Sequence, residues 1–293
     1  MKRLTFALLL SLLLISGCKT AEPTKSTTKT DKAESAAKVE SLQGSEKRIS
    51  FEGVSFTYDS NLFNEVKPGI ADASPLEDPS DKPDNVAPRH INFRFKGEYA
   101  KSHKQDFFNP KIAVYPVDEY KQAFSSKDYV DSLEKEIDKL KAMLAQQPDA
   151  WKGEIPYIPF IDASQAFRAH ASRADFQNGK GIIFLTQYNI EPSLINNQQL
   201  TYIFQGITDD GKYYVLATFP VSASVLPDNT RAKNHLGYTL PEFFDKNAEA
   251  NKKAYDAYTA RVSSELEKLP ADKFNPDITL FEKLVRSIRV EGK

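Results

Sequence analysis

The chain carries one cysteine, Cys18, in 293 residues, so it can close no disulfide within itself and offers no thiolate cluster for zinc. Whatever folds must be held together by burial of apolar surface. Histidine is nearly as scarce. His90, His103, His170 and His235 are scattered, and no two stand four apart as on a metal-binding helix. Long apolar runs are missing too. The strongest, residues 4–15, is too short for a bilayer span, which takes about 20 residues. Neither sign of charge is in excess. Lys and Arg number 39 against 40 Asp and Glu, a net charge of −1, and this argues against nucleic acid, which wants a basic face. No nucleophile-elbow pattern occurs, and the one thiol sits far from any folded segment, so no catalytic residue, metal or cofactor is expected.

What is present begins at the amino terminus. Lys2 and Arg3 precede the apolar stretch, and Ser16 and Gly17 precede Cys18, the order of a secretory leader. Ile15-Ser16-Gly17-Cys18 resembles the bacterial lipobox. That resemblance implies a leader of residues 1–17 that is removed, a diacylglycerol on the Cys18 thiol, and a fatty acid such as palmitate on the new amine. Each buried methylene contributes about 0.8 kcal/mol, so several chains together hold firmly. The domain is then expected outside the cytoplasm, tied to the cell membrane or the outer membrane. Lys19 stands where an aspartate would favour inner-membrane retention in two-membraned bacteria, which leans towards the outer one. Losing Lys2 and Arg3 with the leader takes the net charge from −1 to −3.

Residues 18–47 follow as the lipidated cysteine and a tether. They are rich in Thr, Ser, Ala, Lys and Glu and too poor in apolar residues to fold. As a coil of about 28 residues the tether spans about 30 Å. Residues 48–293 remain, enough for one large domain with a well-buried core. Ile49, Phe51, Val54, Phe56 and Tyr58 alternate around Glu52-Gly53, predicting a strand pair or a bulged strand. Residues 61–88 read as a long surface loop, and 90–96 and 111–115 as strands. Ser125 and Asp128 suggest a capping box ahead of a helix carrying Val130, Leu133, Ile137, Leu140 and Leu144, stopped by Pro148. Two hairpin signals follow, Asn178-Gly179-Lys180 and Asp209-Asp210-Gly211, each flanked by strand-like runs. Together they predict a four-stranded antiparallel meander. Thr239 and Glu242 suggest a second capping box ahead of a helix ending at Pro270, and Asn275-Pro276 opens a last helix running into residues 287–290. The expected fold class is α+β, an antiparallel meander packed with helices. Val54-Ser55-Phe56-Thr57-Tyr58 at one end and residues 281–288 at the other resemble the ends of the Mog1/PsbP-like αβα sandwich. The run Gln205-Gly206-Ile207-Thr208-Asp209-Asp210-Gly211-Lys212-Tyr213-Tyr214-Val215 is similar to a group of uncharacterised bacterial lipoproteins. It implies location, with no activity attached.

Two stretches are candidate ligand contacts. Arg168, His170 and Ser172 alternate along one run and would share a sheet face able to hold an anion, unless that face is merely solvated. Asn196, Asn197 and Gln198, beside Tyr188 and Tyr202, offer amides and flat rings suited to sugar or peptide, unless they only cap the link between hairpins. The acidic group Glu77, Asp78, Asp81 and Asp84 lacks the alternate spacing and central glycine of a calcium loop and reads as solvated. The expected protein is a lipid-anchored envelope component whose domain binds or supports another envelope protein or polymer without catalysis. The alternative is a hydrolase acting on envelope polymers, with His170 or His235 as base.

Overall fold

Four neighbouring strands in the middle of the largest sheet bury both of their faces, and the architecture follows from that. The structure is a computed structural model that describes residues 36–76, 78, 82–84, 86–103, 105 and 108–292, all within one compact unit. Cys18, the leader and most of the expected tether lie outside the described residues.

A first hairpin joins β2 (Glu46–Phe51) to β3 (Val54–Asp59). Its two-residue turn, Glu52-Gly53, has φ of 50° and 81°, the positive pair that matches strand twist. Ahead of it, β1 (Lys38–Ser41) pairs antiparallel with β2, inside the segment expected to be tether. Strand β1 has only Val39 as an apolar residue, so no pattern announces it; backbone pairing to β2 creates it. Ordered structure therefore starts ten residues earlier than composition suggests.

The central sheet has seven antiparallel strands. It runs β4 (Glu65–Ala71), β5 (His90–Lys96), β6 (Lys111–Pro116), β12 (Tyr213–Pro220), β11 (Thr201–Thr208), β9 (Gly179–Thr186) and β8 (Ala169–Arg173). The predicted meander is its β8–β9–β11–β12 half, and the α+β class is the observed one. Strand β4 corrects the expected loop over 61–88. Pro68 and Gly69 hide it in the sequence, and its place at the sheet edge tolerates the missing amide proton. The first hairpin turn is also shifted: Phe176 pairs with Gly179, so Gln177-Asn178 is the turn.

Among the described residues, five helices flank the sheet: α1 (Glu98–Ser102), α2 (Val117–Gln122), α3 (Lys127–Leu144), α4 (Ala248–Glu267) and α5 (Ile278–Arg286). Alternate residues of each strand feed two cores. Ile182, Phe184, Ile203 and Leu216 face α3, whose Leu133, Ile137, Leu140 and Leu144 form its buried stripe. Ile183, Leu185, Phe204 and Phe219 face the other side, covered by α4, α5 and the small sheet. There Phe281 of α5 stacks on Phe219 with ring centroids 4.6 Å apart. The sole tryptophan donates from Trp151 Nε1 to Met143 O at 2.7 Å and so closes the carboxyl end of α3.

Both expected capping boxes are absent. Helix α3 starts after Ser126 with no side-chain cap. Thr239 does meet Glu242, but over a 3₁₀ turn at Leu240–Phe243; α4 begins later, where Asn247 accepts from the Ala250 amide at 2.9 Å. Two-residue strands complete the fold: β7 (Ser164–Gln165) with β10 (Tyr188–Asn189), β13 (Ser222–Ala223) with β16 (Phe274–Asn275), β14 (Asn234–His235) with β15 (Tyr238–Thr239), and β17 (Arg289–Val290) against β3.

Candidate functional site

The two stretches singled out in the sequence do not assemble as expected. Tyr188 and Tyr202 are both buried, in different cores: Tyr188 packs with Phe108 and Tyr157, Tyr202 with Phe281. Burial pushes both phenols up, away from any acid–base role at neutral pH. Asn196 is fully buried and its amide donates to Leu194 O and Gln199 Oε1, each at 3.0 Å. Its backbone amide meets Gln187 Oε1, while Gln187 Nε2 donates to Asn189 Oδ1 at 2.8 Å. These groups tie the link between hairpins together.

Arg168 and His170 are likewise used within the fold. A bulge between Ala169 and Ser172, with His170 at φ 50°, breaks the alternation on which the shared face depended. The Arg168 guanidinium donates to Trp151 O at 3.1 Å and Gly153 O at 3.3 Å. His170 places Nε2 2.9 Å from Leu266 O, and its backbone amide donates to Glu267 Oε1 at 2.7 Å. Both residues dock neighbouring segments, and no open anion-binding row remains there. Of the acidic group, Glu77 and Asp81 lie outside the described residues; among those described, no three His, Cys, Asp or Glu side chains gather as a metal would require.

Asn197 and Gln198 do reach a concave surface. Five separated segments enclose a groove of about 660 Å³: the link after β3, helix α1, the turn at 196–199, the loop at 228–229 and the β13–β16 pair. Seven of its lining side chains are carboxamides, Asn61, Asn64, Gln105, Asn197, Gln198, Asn229 and Asn275. Among the described residues, Glu98 and Asp228 are its only carboxylates and no lysine or arginine lines it. Gly97 lets this wall close. At φ 101° its absent Cβ leaves room for Asn64, whose Oδ1 would stand 2.5 Å from such an atom.

The amides divide into two groups. Gln105 donates to Leu200 O at 2.8 Å and accepts from Thr201 Oγ1, Asn197 bridges the Ala223 amide and Leu226 O, and Asn229 accepts from the Arg231 amide. These fix the walls. The side chains of Asn61, Asn64, Gln198 and Asn275 have no hydrogen-bond partner among the described residues and supply both donors and acceptors to the groove. No protein-family model matches this chain. No curated protein matches it significantly either.

The groove also contains His103, which sequence reasoning set aside. Its Nε2 lies 3.0 Å from Asn275 O, while its Nδ1 lies 2.9 Å from Ser102 Oγ and 3.3 Å from Tyr99 O, so each ring nitrogen has an acceptor within reach. Ser102 Oγ also lies 2.9 Å from Glu98 O, the back-bonded position of a helical serine. Tyr99 packs against His103 at 5.0 Å and donates to Pro220 O at 2.7 Å. Neither His170 nor His235 lines the groove. His235 is buried with both ring nitrogens engaged, Nδ1 with Tyr258 OH and Nε2 with Val225 O, each at 2.9 Å. Of the groove's residues only the 196–199 run carried a signal in the sequence. Asn61 read there as the start of a surface loop and Asn275 as the opening of the last helix.

Proposed function

We propose that this protein is a lipid-anchored component of the bacterial cell envelope whose domain binds a peptide segment of another envelope protein and performs no chemistry on it. The observation that carries the binding reading is the groove's amide wall. Asn61, Asn64, Gln198 and Asn275 present paired donors and acceptors with no lysine or arginine among the described lining residues, which suits a peptide backbone. Among the described residues its aromatic rings are Tyr99, which is buried, and the His103 imidazole that packs against it at 5.0 Å. The lipobox-like run Ile15-Ser16-Gly17-Cys18 at the head of a polar segment supports the envelope location.

A photo-crosslinking residue at Gln198 tests this in intact cells. One dominant envelope protein joined through that position, and lost with Asn61→Leu together with Asn275→Leu, is the expected outcome. Equal labelling from Gln198 and from an exposed position on α3 such as Lys139 rules the groove out.

The hydrolase reading is favoured by one contact, Ser102 Oγ to His103 Nδ1 at 2.9 Å. It predicts covalent labelling of Ser102 by a serine-directed fluorophosphonate, abolished by Ser102→Ala and by His103→Gln. Labelling with that dependence replaces the binding reading.

A further inference from the structure

On the other side of α1 lies a second groove, of about 840 Å³, with the opposite character. Its floor is the corner of the central sheet that α3 leaves uncovered. The strand registers put Lys67 of β4 directly across from Arg94 of β5, and Arg94 directly across from Lys111 of β6. Three cations thus stand abreast on three neighbouring strands. Like charges facing each other across a sheet are destabilising, so the isolated fold gains nothing from this row. Lys96 and Lys101 add two more cations to the lining, and Glu65 is its only carboxylate among the described residues. Glu65 lies 3.4 Å from Lys67 Nζ, and Lys101 pairs with Glu98 at 2.7 Å. Among the described residues, Arg94, Lys96 and Lys111 have no ion-pair or hydrogen-bond partner for their side chains. Burial and the neighbouring guanidinium of Arg94 both pull the Lys111 ammonium below its ordinary range, the mark of a charge held without compensation. Beside them Asn92, two residues before Arg94 on the same strand face, has its Oδ1 buried and without a donor.

We infer that this groove is a binding site for a hydroxyl-bearing phosphate ester, its phosphate seated on Lys67, Arg94 and Lys111 and a hydroxyl donated to Asn92 Oδ1. The two unmet needs of the floor are a counter-charge and a proton donor. A polyol or sugar phosphate supplies both in one molecule; a simple anion supplies only the first. Arg94 offers a planar fork to two phosphate oxygens, and the two lysines flank it as point charges. This site is separate from the carboxamide groove and stands whether or not that groove takes a peptide.

Titration of the full chain with glycerol 1-phosphate, followed by amide NMR shifts and by thermal unfolding, tests the site. Expected are saturable shifts at Asn92, Arg94 and Lys111, a raised unfolding midpoint, and binding weakened about tenfold or more by Arg94→Gln or Lys111→Gln. These variants remove repulsion, so their ligand-free midpoints should equal or exceed the wild type, separating lost binding from lost folding. Inorganic phosphate should bind more weakly than glycerol 1-phosphate, and Asn92→Leu should erase the difference between them. Vesicles of phosphatidylglycerol against phosphatidylcholine distinguish a lipid headgroup from a soluble ester as the source. Equal affinity for phosphate and its ester in the wild type, or binding unchanged in Arg94→Gln and Lys111→Gln, overturns the assignment.

Discussion

At Gly53 the backbone stands at φ 81°, and a Cβ there would lie 2.2 Å from Glu291 O. The same glycine accepts the Glu291 amide at 2.8 Å, so one residue fixes both the first hairpin and the docking of the carboxyl-terminal strand β17. Gly53→Ala should therefore destabilise the domain by about 1–3 kcal/mol, since strained conformation and steric contact act together. Urea unfolding measures it, and an unchanged midpoint would show that β17 docks without this contact. His235 makes a second prediction. Burial, reinforced by Arg261, holds its imidazole below the ordinary value while the Val225 carbonyl pulls the other way, and burial also lowers His90. The folded state thus favours neutral rings. As pH falls through about 6.5 the unfolded chain takes up protons first, and the stability present above that value is progressively lost. The thermal midpoint should fall by a few degrees between about pH 7.5 and about pH 5.5, and less in His235→Gln. Identical slopes in both proteins would exclude His235 as a contributor.

Among the elements, the two long helices differ at their starts in a way that can be measured. Asn247 caps α4 through the Ala250 amide, whereas Ser126 makes no side-chain bond at the head of α3. Asn247→Ala should cost about 1 kcal/mol and Ser126→Ala less than about 0.5 kcal/mol. Equal losses would mean that the serine caps in solution. Helix α5 depends on packing more than on its ends. Phe281 is fully buried and touches Phe63, Tyr99, Tyr202 and Phe219, joining the link after β3, α1 and the central sheet. Phe281→Ala should cost about 3–5 kcal/mol by denaturant titration, and a loss under about 1 kcal/mol would show that this core collapses around the cavity.

For the whole molecule, the arrangement places two unlike grooves on either side of the short helix α1, one rich in amides with two carboxylates, the other cationic. No described helix is long and apolar enough to cross a membrane. If acyl chains on Cys18 hold the protein to its bilayer, Cys18→Ala should move the chain from the membrane to the soluble fraction and abolish labelling by a fatty-acid probe. Retention of the variant on membranes would place the attachment elsewhere.

The sequence by itself determined the α+β class, the β8–β9–β11–β12 meander and the stripes of α3 and α5, because hydrophobic period and turn chemistry are local. It could not reveal β1 or β4, which exist through pairing with a partner strand rather than through their own pattern. Nor could it reveal that Tyr188 and Tyr202 would be buried in different cores, or that a single bulge at residues 169–172 undoes an apparent alternation, since tertiary packing and strand register decide both. Both grooves belong to the same class of fact. Asn61, Gln198 and Asn275 meet only when five segments converge, and Lys67, Arg94 and Lys111 become one row only through the pairing of three strands, because long-range contacts leave no trace in the spacing of residues along the chain.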